Sequence, residues 1–265
     1  MSAVAPVADR LAGIGLDELV AEAALLARVD RKYVVPRTDL PAVLAAVPAS
    51  TRMLEIEGRR EFGYRSTYLD TADLASYHLA GRSHRRRFKV RTRAYLDSGS
   101  SWLEVKTRGA RGVTLKTRIE HPEIRADRLG PVGATFVDDA LASGGARRVA
   151  AVDLAPVLST GYRRSTLYLP ESRSRATIDV DLGWSTHAPL AERDLDRPGV
   201  AIVETKTGST PSALDRLLWR LGHRPSSISK FGVGMAALVP GLPDLKWHRV
   251  LRRTLSVPHT LGETR

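Results

Sequence analysis

The feature that most constrains this chain is an alternation of apolar and charged residues with a period of two. Successive side chains of a strand point to opposite faces, so the pattern predicts β-structure. Near residue 90, for example, Val90 is flanked by Lys89 and Arg91. The same pattern predicts eight strands, near residues 30–35, 64–70, 86–95, 102–108, 113–120, 162–169, 175–182 and 200–206.

Helical signals are fewer. Spacing of apolar residues and helix-capping residues predict helices over residues 9–28, from Thr38 to near Pro48, around Val132–Ser143 with a loop at Gly144–Gly145, and from Thr210–Pro211 onward. The chain has no internal repeat and no Pro/Gly/Ser-rich linker. We therefore expect an α+β fold with one domain over residues 1–240 and a peripheral C-terminal tail over residues 241–265.

The polar faces of the predicted strands consist almost entirely of Arg and Lys, with a few carboxylates. For any single strand, an ordinary solvated face remains the alternative interpretation. Like charges placed opposite each other destabilise a sheet, so their recurrence favours a bound anion. Closing eight antiparallel strands into a barrel would gather these side chains in one lumen. The apolar faces would then pack against the helices at 9–28 and 210–222.

The overall charge agrees with an anionic partner. The chain has 41 Lys and Arg residues against 29 Asp and Glu residues, a formal net charge of +12. It has no Cys, which excludes thiol catalysis and thiolate metal sites. No stretch of about 20 apolar residues is present and the N-terminal residues do not resemble a secretory signal, so we expect a cytoplasmic protein.

A lumen lined with Arg and Lys suits a polyanion rich in phosphate oxygens. The carboxylates of Glu204, Asp179 and Asp181 are candidate ligands for Mg²⁺ or Mn²⁺, which proteins bind through a few carboxylates together with substrate phosphates. Asp179 has the alternative role of neutralising Arg175. No Gly-rich phosphate-binding loop is present, so side chains would hold the phosphates.

These segments resemble the VTC-domain polyphosphate polymerases, a branch of the triphosphate tunnel metalloenzymes with a CYTH-like fold. The matching pieces are Arg28-Val-Asp-Arg-Lys-Tyr33, Tyr68-Leu-Asp-Thr71 with Tyr77 and His78, Lys89-Val-Arg-Thr-Arg-Ala-Tyr95, Leu103-Glu-Val-Lys106, Leu115-Lys-Thr-Arg118, Tyr162-Arg163-Arg164, Val203-Glu-Thr-Lys206 and Ser227-Ile-Ser-Lys-Phe231. Each piece is weak alone, but their order and spacing are specific. The resemblance implies an eight-stranded antiparallel tunnel that binds a triphosphate and a divalent metal.

The chain departs from the wider superfamily at two places. The usual opening Glu-x-Glu-x-Lys is replaced by Arg28-x-Asp30-x-Lys32, and Phe231 stands where the polymerase branch often has Tyr. Loss of the first glutamate favours a polymerase over the triphosphatases and adenylyl cyclases. Fungal members carry a further phosphate-sensing domain and membrane spans, whereas bacterial stand-alone members look like this chain.

The resemblance also implies roles for individual residues. The phosphate-binding set would be Lys32, Arg91, Arg93, Lys106, Lys116, Arg118, Arg164, Arg175, Lys206 and Lys230, with Tyr162 and Ser229 as additional donors. Of these, the catalytic set would be Arg91, Arg93, Lys106, Lys116 and Lys230, together with Glu204 as metal ligand. Whether Arg163 or Arg164 is the motif arginine depends on strand register and stays open.

The implied activity is metal-dependent transfer of the γ-phosphoryl group of ATP, or another nucleoside triphosphate, onto polyphosphate. Phosphate, pyrophosphate or the growing chain would be the acceptor, and a membrane protein that receives the product would be a separate chain. One alternative is a tripolyphosphatase or nucleoside triphosphatase. Another is a non-catalytic polyanion-binding module. Nucleic acid is disfavoured as a partner, and the basic run Arg82–Arg87 is interpreted as a solvated loop rather than a nucleic-acid patch.

Overall fold

The structure is a computed structural model that describes residues 10–23, 28–109, 112–121, 129–146 and 149–253. These residues form the strands β1 (Ala12–Ile14), β2 (Val29–Pro36), β3 (Arg52–Leu54), β4 (Phe62–Asp70), β5 (Arg87–Tyr95), β6 (Ser101–Arg108), β7 (Thr114–Glu120), β8 (Ala155–Leu169), β9 (Ser174–Thr186), β10 (Asp194–Arg197) and β11 (Val200–Thr207). They also form the helices α1 (Leu16–Glu22), α2 (Leu40–Ala45), α3 (Ala75–Gly81), α4 (Pro131–Ser143), α5 (Ala213–Arg220), α6 (Lys230–Leu238) and α7 (His248–Arg253). The mainly antiparallel sheet with flanking helices confirms the α+β class.

All eight predicted strands are present, as β2, β4 to β9 and β11. The largest differences are at β8, which begins at Ala155 rather than near residue 162, and at β9, which continues to Thr186. The sequence did not predict β1, β3 and β10. They have three, three and four residues, too few for an alternating pattern to be recognised.

The predicted helix over residues 9–28 is wrong at its start. Residues Ala12–Ile14 form a strand parallel to β3, and α1 begins only at Leu16. Gly13 and Gly15 lower the helix propensity here, and Gly15 has an extended backbone before the helix. Residues 9 and 24–27 of this prediction lie outside the described part of the chain, and Arg28 is not helical.

The later helix predictions are closer to the structure. The helix around Val132–Ser143 is confirmed as α4. A 3₁₀ turn at Arg37–Asp39 precedes α2, where a single short helix was predicted. Helix α5 begins after Ser212 rather than at Thr210, because the Ser212 side chain and Asp215 form a capping box. No helix was predicted at α3, α6 or α7. None of the helices in the described ranges is long and apolar enough to cross a membrane.

The chain divides into two compact units, and strands β8 and β9 contribute residues to both. Unit 1 comprises Met1–Gly63, Tyr162–Leu182 and Arg197–Ile228, and unit 2 comprises Tyr64–Gly161, Gly183–Asp196 and Ser229–Arg265. The expected division at residue 240 into a domain and a tail stays a prediction.

Unit 1 has the strand order β2-β11-β9-β8, with β3 beside β8 and β1 beside β3. Its core lies between the apolar face of these strands and the helices α2 and α5. The fully buried carboxylate of Asp215 on α5 accepts hydrogen bonds from Tyr33 Oη on β2 and Thr205 Oγ1 on β11, both at 2.6 Å. These bonds fix the helix on the strands, whose other face carries charged residues.

Unit 2 has the strand order β8-β4-β5-β6-β7. Val90, Leu103 and Val105 on its apolar face are buried against Val137 and Leu141 of α4. The ring of Trp247 is buried, and its centroid lies 5.1 Å from that of Tyr77 on α3. The ring of Phe231 on α6 also lies edge-on to Tyr77, with centroids 6.3 Å apart, so α6 and the segment before α7 are part of the packed unit.

The predicted closure of the strands into a barrel is not observed in the strand pairing. Among the described strands, β2 pairs only with β11 and β7 pairs only with β6, so the hydrogen-bonded ladder has two free ends. The exposure of β7 gives a physical reason. Val113, just before β7, and Leu115 were expected to pack against helices but are 59% and 47% exposed, so only the end of this strand, at Ile119, contacts the apolar core. The α+β class is unaffected by this correction.

Candidate active site

In unit 2, the strands β5, β6 and β7 present their charged residues on one face in four successive rows. Residues directly opposite each other across a ladder share a face. Counted from the loop between α3 and β5, which precedes Arg87, the rows are Arg87–Arg108–Thr114, Lys89–Lys106–Lys116, Arg91–Glu104–Arg118 and Arg93–Trp102–Glu120. The first two rows contain five cations and no carboxylate. Glu104 and Glu120, the two carboxylates on this face, lie in the third and fourth rows.

Glu104 is the centre of the unit 2 site. Its buried carboxylate accepts hydrogen bonds from Arg91 Nε at 2.7 Å, Arg91 Nη2 at 2.5 Å and Lys116 Nζ at 2.7 Å. Burial by itself would raise the pKa of Glu104, but Arg91, Arg93 and Lys116 lower it to about 2. Burial lowers the pKa of Lys116, and Glu104 opposes that change. We call Glu104, Arg91, Arg93 and Lys116 the Glu104 cluster.

A buried tyrosine lies beside this cluster. Arg91 Nη1 donates a hydrogen bond to Tyr68 Oη at 3.3 Å, and the ring of Tyr68 packs against Phe231 with centroids 5.0 Å apart. Burial would raise the pKa of Tyr68, but the positive charges of Arg91, Lys89, Arg93 and Lys230 lower it to about 7. A phenol that ionises this easily reports a strongly positive environment.

The remaining predicted residues of unit 2 surround this centre. Lys89 Nζ donates to Ser229 Oγ at 3.0 Å, and Ser229 is also the N-cap of α6, which begins with Lys230. Arg118 lies over the ring of Trp102 at 4.3 Å. Lys106 is exposed in the row of three lysines. The structure therefore brings the predicted residues on β5, β6 and β7 together on one face.

Unit 1 carries a second group of cations and carboxylates, centred on Glu204 of β11. Lys206 Nζ donates to Glu204 Oε1 and also lies 3.8 Å from Asp30 Oδ2. Lys32, directly opposite Glu204 on β2, has its Nζ 3.9 Å from Glu204 Oε1. Burial would raise the pKa of Glu204, but Lys32, Lys206 and Arg164 hold it well below the usual range. We call Glu204, Lys206, Lys32 and Asp30 the Glu204 cluster.

Strands β8 and β9 supply a further ion pair in unit 1. Arg164 binds the fully buried Asp179 through Nε at 2.6 Å and Nη2 at 2.8 Å, and it lies over the ring of Tyr162 at 5.2 Å. The partner of Asp179 is therefore Arg164 rather than Arg175. Burial lowers the pKa of Arg175, which is influenced by the charges of Arg28, Asp30 and Glu204.

Two predicted residues lie apart from these groups. Arg163 points to the opposite face from Arg164 and pairs with Glu61 at 2.6 Å, which places Arg164 on the face with the buried ion pair. Asp181 has a left-handed backbone (φ 52°) and pairs with Arg37. The Asp181 carboxylate therefore neutralises Arg37 and is not a member of the Glu204 cluster.

Sequence reasoning missed Glu104, Lys89, Tyr68 and Asp30 as members of the site. The alternation pattern placed Lys89 and Glu104 on the charged face, so the signal was available for both. The environment of Tyr68 could not be seen, because it depends on cations from β5 and α6. Within the described part of the chain, no three His, Asp or Glu side chains lie close enough together to hold a metal ion.

The model of the VTC domain family matches residues 27–239. The chain belongs to the VTC domain family. This match covers every residue of both clusters and confirms the resemblance noted in the sequence. None of the curated proteins in the comparison matches the chain.

Several solved structures are similar to this VTC-domain chain. A candidate adenylate cyclase from Bacillus halodurans is 13% identical and aligns over 86% of this chain and 97% of its own, with a TM-score of 0.46. One from Vibrio parahaemolyticus is 12% identical over 77% and 94%, with a TM-score of 0.43. A candidate adenylyl cyclase from Hippeastrum, described as having a dominant triphosphatase activity, is 16% identical over 82% and 98%, with a TM-score of 0.42.

Proposed function

We propose that this VTC-domain protein is a metal-dependent polyphosphate polymerase that transfers the γ-phosphoryl group of ATP onto a polyphosphate chain. The observation that carries the proposal is the row Lys89–Lys106–Lys116, three lysines directly opposite each other on adjacent strands. Neighbouring strands are only about 5 Å apart, so such a row destabilises an unliganded sheet. A bound chain of phosphates, with a negative charge at each repeat, would remove this repulsion.

The cations would act mainly by binding and neutralising phosphate oxygens. Arg91, Arg93, Lys106, Lys116 and Lys230 supply five positive charges in unit 2, and the buried carboxylate of Glu104 lies among them. Glu104 holds Arg91 and Lys116 in fixed orientations, so fewer side-chain conformations are lost when phosphate binds. Phosphoryl transfer depends largely on such positioning and charge neutralisation.

The ion pairs also favour polymerisation over hydrolysis. Asp30, Glu104, Asp179 and Glu204 are all paired with Lys or Arg. A carboxylate paired in this way is a weak base for activating water. The terminal phosphate of a polyphosphate acceptor is already anionic at neutral pH and needs no base. The site is therefore better suited to a phosphate acceptor than to water.

The proposed Mn²⁺ or Mg²⁺ would be held by Glu204, whose low pKa keeps its oxygens ionised as a hard cation requires. A single carboxylate fits a metal whose other ligands are phosphate oxygens and water. When bound, such an ion neutralises charge on the transferring phosphoryl group. In unit 1, Lys32, Lys206, Arg164 and Arg175 would bind phosphates of the nucleotide or of the chain.

The test is incubation of the purified protein with ATP, Mn²⁺ or Mg²⁺, and pyrophosphate as acceptor, followed by gel detection of polyphosphate and assays of ADP and orthophosphate. We expect polymer, with ADP formed in proportion to polymerised phosphate. Release of orthophosphate without polymer would instead identify a triphosphatase. Absence of any turnover, with RNA bound more tightly than tripolyphosphate at equal salt, would identify a polyanion-binding module.

A further inference from the structure

An exposed basic surface of unit 2 lies beyond the loop end of the charged rows. The loop between α3 and β5 exposes Arg82, Arg85 and Arg86, and the segment from Lys246 through α7 exposes Arg249, Arg252 and Arg253. Neither segment contains Asp or Glu. We call the exposed arginines and lysine of residues 82–86 and 246–253 the outer basic surface.

Direct contacts hold the two parts of this surface together. Lys246 Nζ donates to the carbonyl oxygen of Ala80, in the last turn of α3, at 2.5 Å. A methyl group placed on Gly81 would lie 2.2 Å from Leu245 Cδ1, so the backbone of α3 and the segment before α7 are in close contact. Both basic segments start from this contact, and their charges therefore occupy neighbouring parts of unit 2.

The outer basic surface is continuous with the charged rows of the site. Arg87, Lys89 and Arg91 lie at alternate positions of β5 on one face, and Arg87 Nη1 donates to the carbonyl oxygen of His84 at 2.7 Å. The rows are about 7 Å apart along the strand, so Arg91 and Arg87 span about 13 Å. A three-phosphate chain is too short to cover this distance and the loop beyond it.

The row nearest the loop contains a buried arginine nitrogen that has no hydrogen-bond acceptor among the described residues. Arg108 faces Arg87 across the ladder, and its buried Nε has no hydrogen-bond partner among the described residues. A buried guanidinium donor without a partner is costly, and an anion is the natural acceptor for it. The like-charge pair and the unsatisfied donor both indicate that an anion occupies this row, at the exit toward the outer basic surface.

We infer that the polyphosphate chain extends from the Glu104 cluster along β5, past Lys89 and Arg87, and continues onto the outer basic surface. This inference rests on the proposed function for its ligand and adds a second binding segment outside the site. The outer basic surface holds the distant part of a long chain. Its contribution appears only for chains longer than the site itself, because both segments must be engaged by one molecule.

The experiment compares tripolyphosphate with polyphosphate of about 25 units by calorimetry, without ATP or metal, at several salt concentrations. The variant Arg85→Gln/Arg86→Gln/Arg249→Gln/Arg252→Gln removes four exposed charges of the outer basic surface. The control Arg65→Gln/Arg216→Gln/Arg220→Gln/Arg224→Gln removes four exposed charges elsewhere. The pairs Arg85/Arg86 and Arg249/Arg252 are also replaced separately, in case the fourfold variant is less stable.

We expect the wild-type protein and the control to bind the long chain at least tenfold more tightly per molecule than tripolyphosphate. The fourfold variant should lose most of this advantage and part of the salt dependence, while its tripolyphosphate affinity stays within twofold. An advantage of the long chain that survives in the fourfold variant would overturn the inference. So would a variant that loses affinity only for single-stranded RNA, or only for vesicles of anionic lipid. Because the experiment measures binding and no turnover, its result can be interpreted even if the protein is not a polymerase.

Discussion

Replacing Glu104 with Gln tests the ion pairs at the centre of the unit 2 site. The carboxylate is 3% exposed and accepts three hydrogen bonds from Arg91 and Lys116. Burial would raise its pKa, but the surrounding cations lower it from 4.5 to about 2. One pKa unit corresponds to about 1.4 kcal/mol, so ionised Glu104 contributes about 3 kcal/mol to the free energy of unfolding at pH 7.

The sign of the pH dependence follows from the direction of the shift. The pKa of Glu104 is lower in the folded than in the unfolded chain, so its contribution is complete above about pH 5 and is lost as the pH falls toward 2. In urea unfolding, we expect Glu104→Gln to be about 3 kcal/mol less stable than wild type at pH 7. At pH 3 the difference should be smaller by about 2 kcal/mol.

A matched control is Glu120→Gln, which removes an exposed carboxylate from the adjacent strand β7. Its free energy of unfolding should stay within about 0.5 kcal/mol of wild type at both pH values. Tripolyphosphate should also stabilise Glu104→Gln more than wild type, since Arg91 and Lys116 are left without their internal anion. Equal stabilities of the two variants, or a deficit of Glu104→Gln that does not change between pH 7 and pH 3, would refute the reasoning.

Three further predictions concern single residues. Absorbance at 295 nm should show one tyrosinate forming near pH 7 that is absent in Tyr68→Phe. Tripolyphosphate should raise the pKa of Tyr68 by neutralising the cations around it. If the first tyrosinate forms only near pH 10, this prediction is wrong. Since this pKa is lowered on folding, the stability of wild type relative to Tyr68→Phe should rise between pH 7 and pH 10 and be lost below pH 7. Glu204→Gln should abolish polymer formation yet bind tripolyphosphate without metal at least as tightly in calorimetry, and persistent turnover would exclude it as the metal ligand. Val90→Asp should prevent folding, because Val90 is fully buried, whereas Val113→Asp, at an exposed position, should melt like wild type by circular dichroism.

The strands and their faces were predictable because alternation is a local property. On β5, the residues next to Val90 and Arg91 in the sequence were enough to assign Val90 to a buried face and Arg91 to a charged face. The same reasoning was wrong for Leu115 on β7, because an apolar face is buried only if another element covers it. It also missed the strand at Ala12–Ile14, whose partner is β3, about 40 residues later.

The pairing of charges within the site was much harder to predict. Arg91 is 13 residues from Glu104, and Arg37 is 144 residues from Asp181. Asp181 itself has a left-handed backbone within β9, which no sequence pattern reveals. The spacing of charged residues along the sequence showed which of them share a face of a strand. Which carboxylate neutralises which cation depends instead on the register of neighbouring strands.

The carboxylates explain how unit 2 stays folded while keeping its face positive. Glu104 holds Arg91 and Lys116 within hydrogen-bonding distance, but it supplies one negative charge for a face that also carries Lys89 and Lys106. Replacing Lys89 and Lys106 with neutral residues would remove the repulsion and stabilise the sheet. A face built in this way therefore gives up stability in the absence of ligand, and binding of a polyanion recovers it. We therefore expect bound polyphosphate to stabilise most strongly the two rows that contain no carboxylate, which lie nearest the loop between α3 and β5.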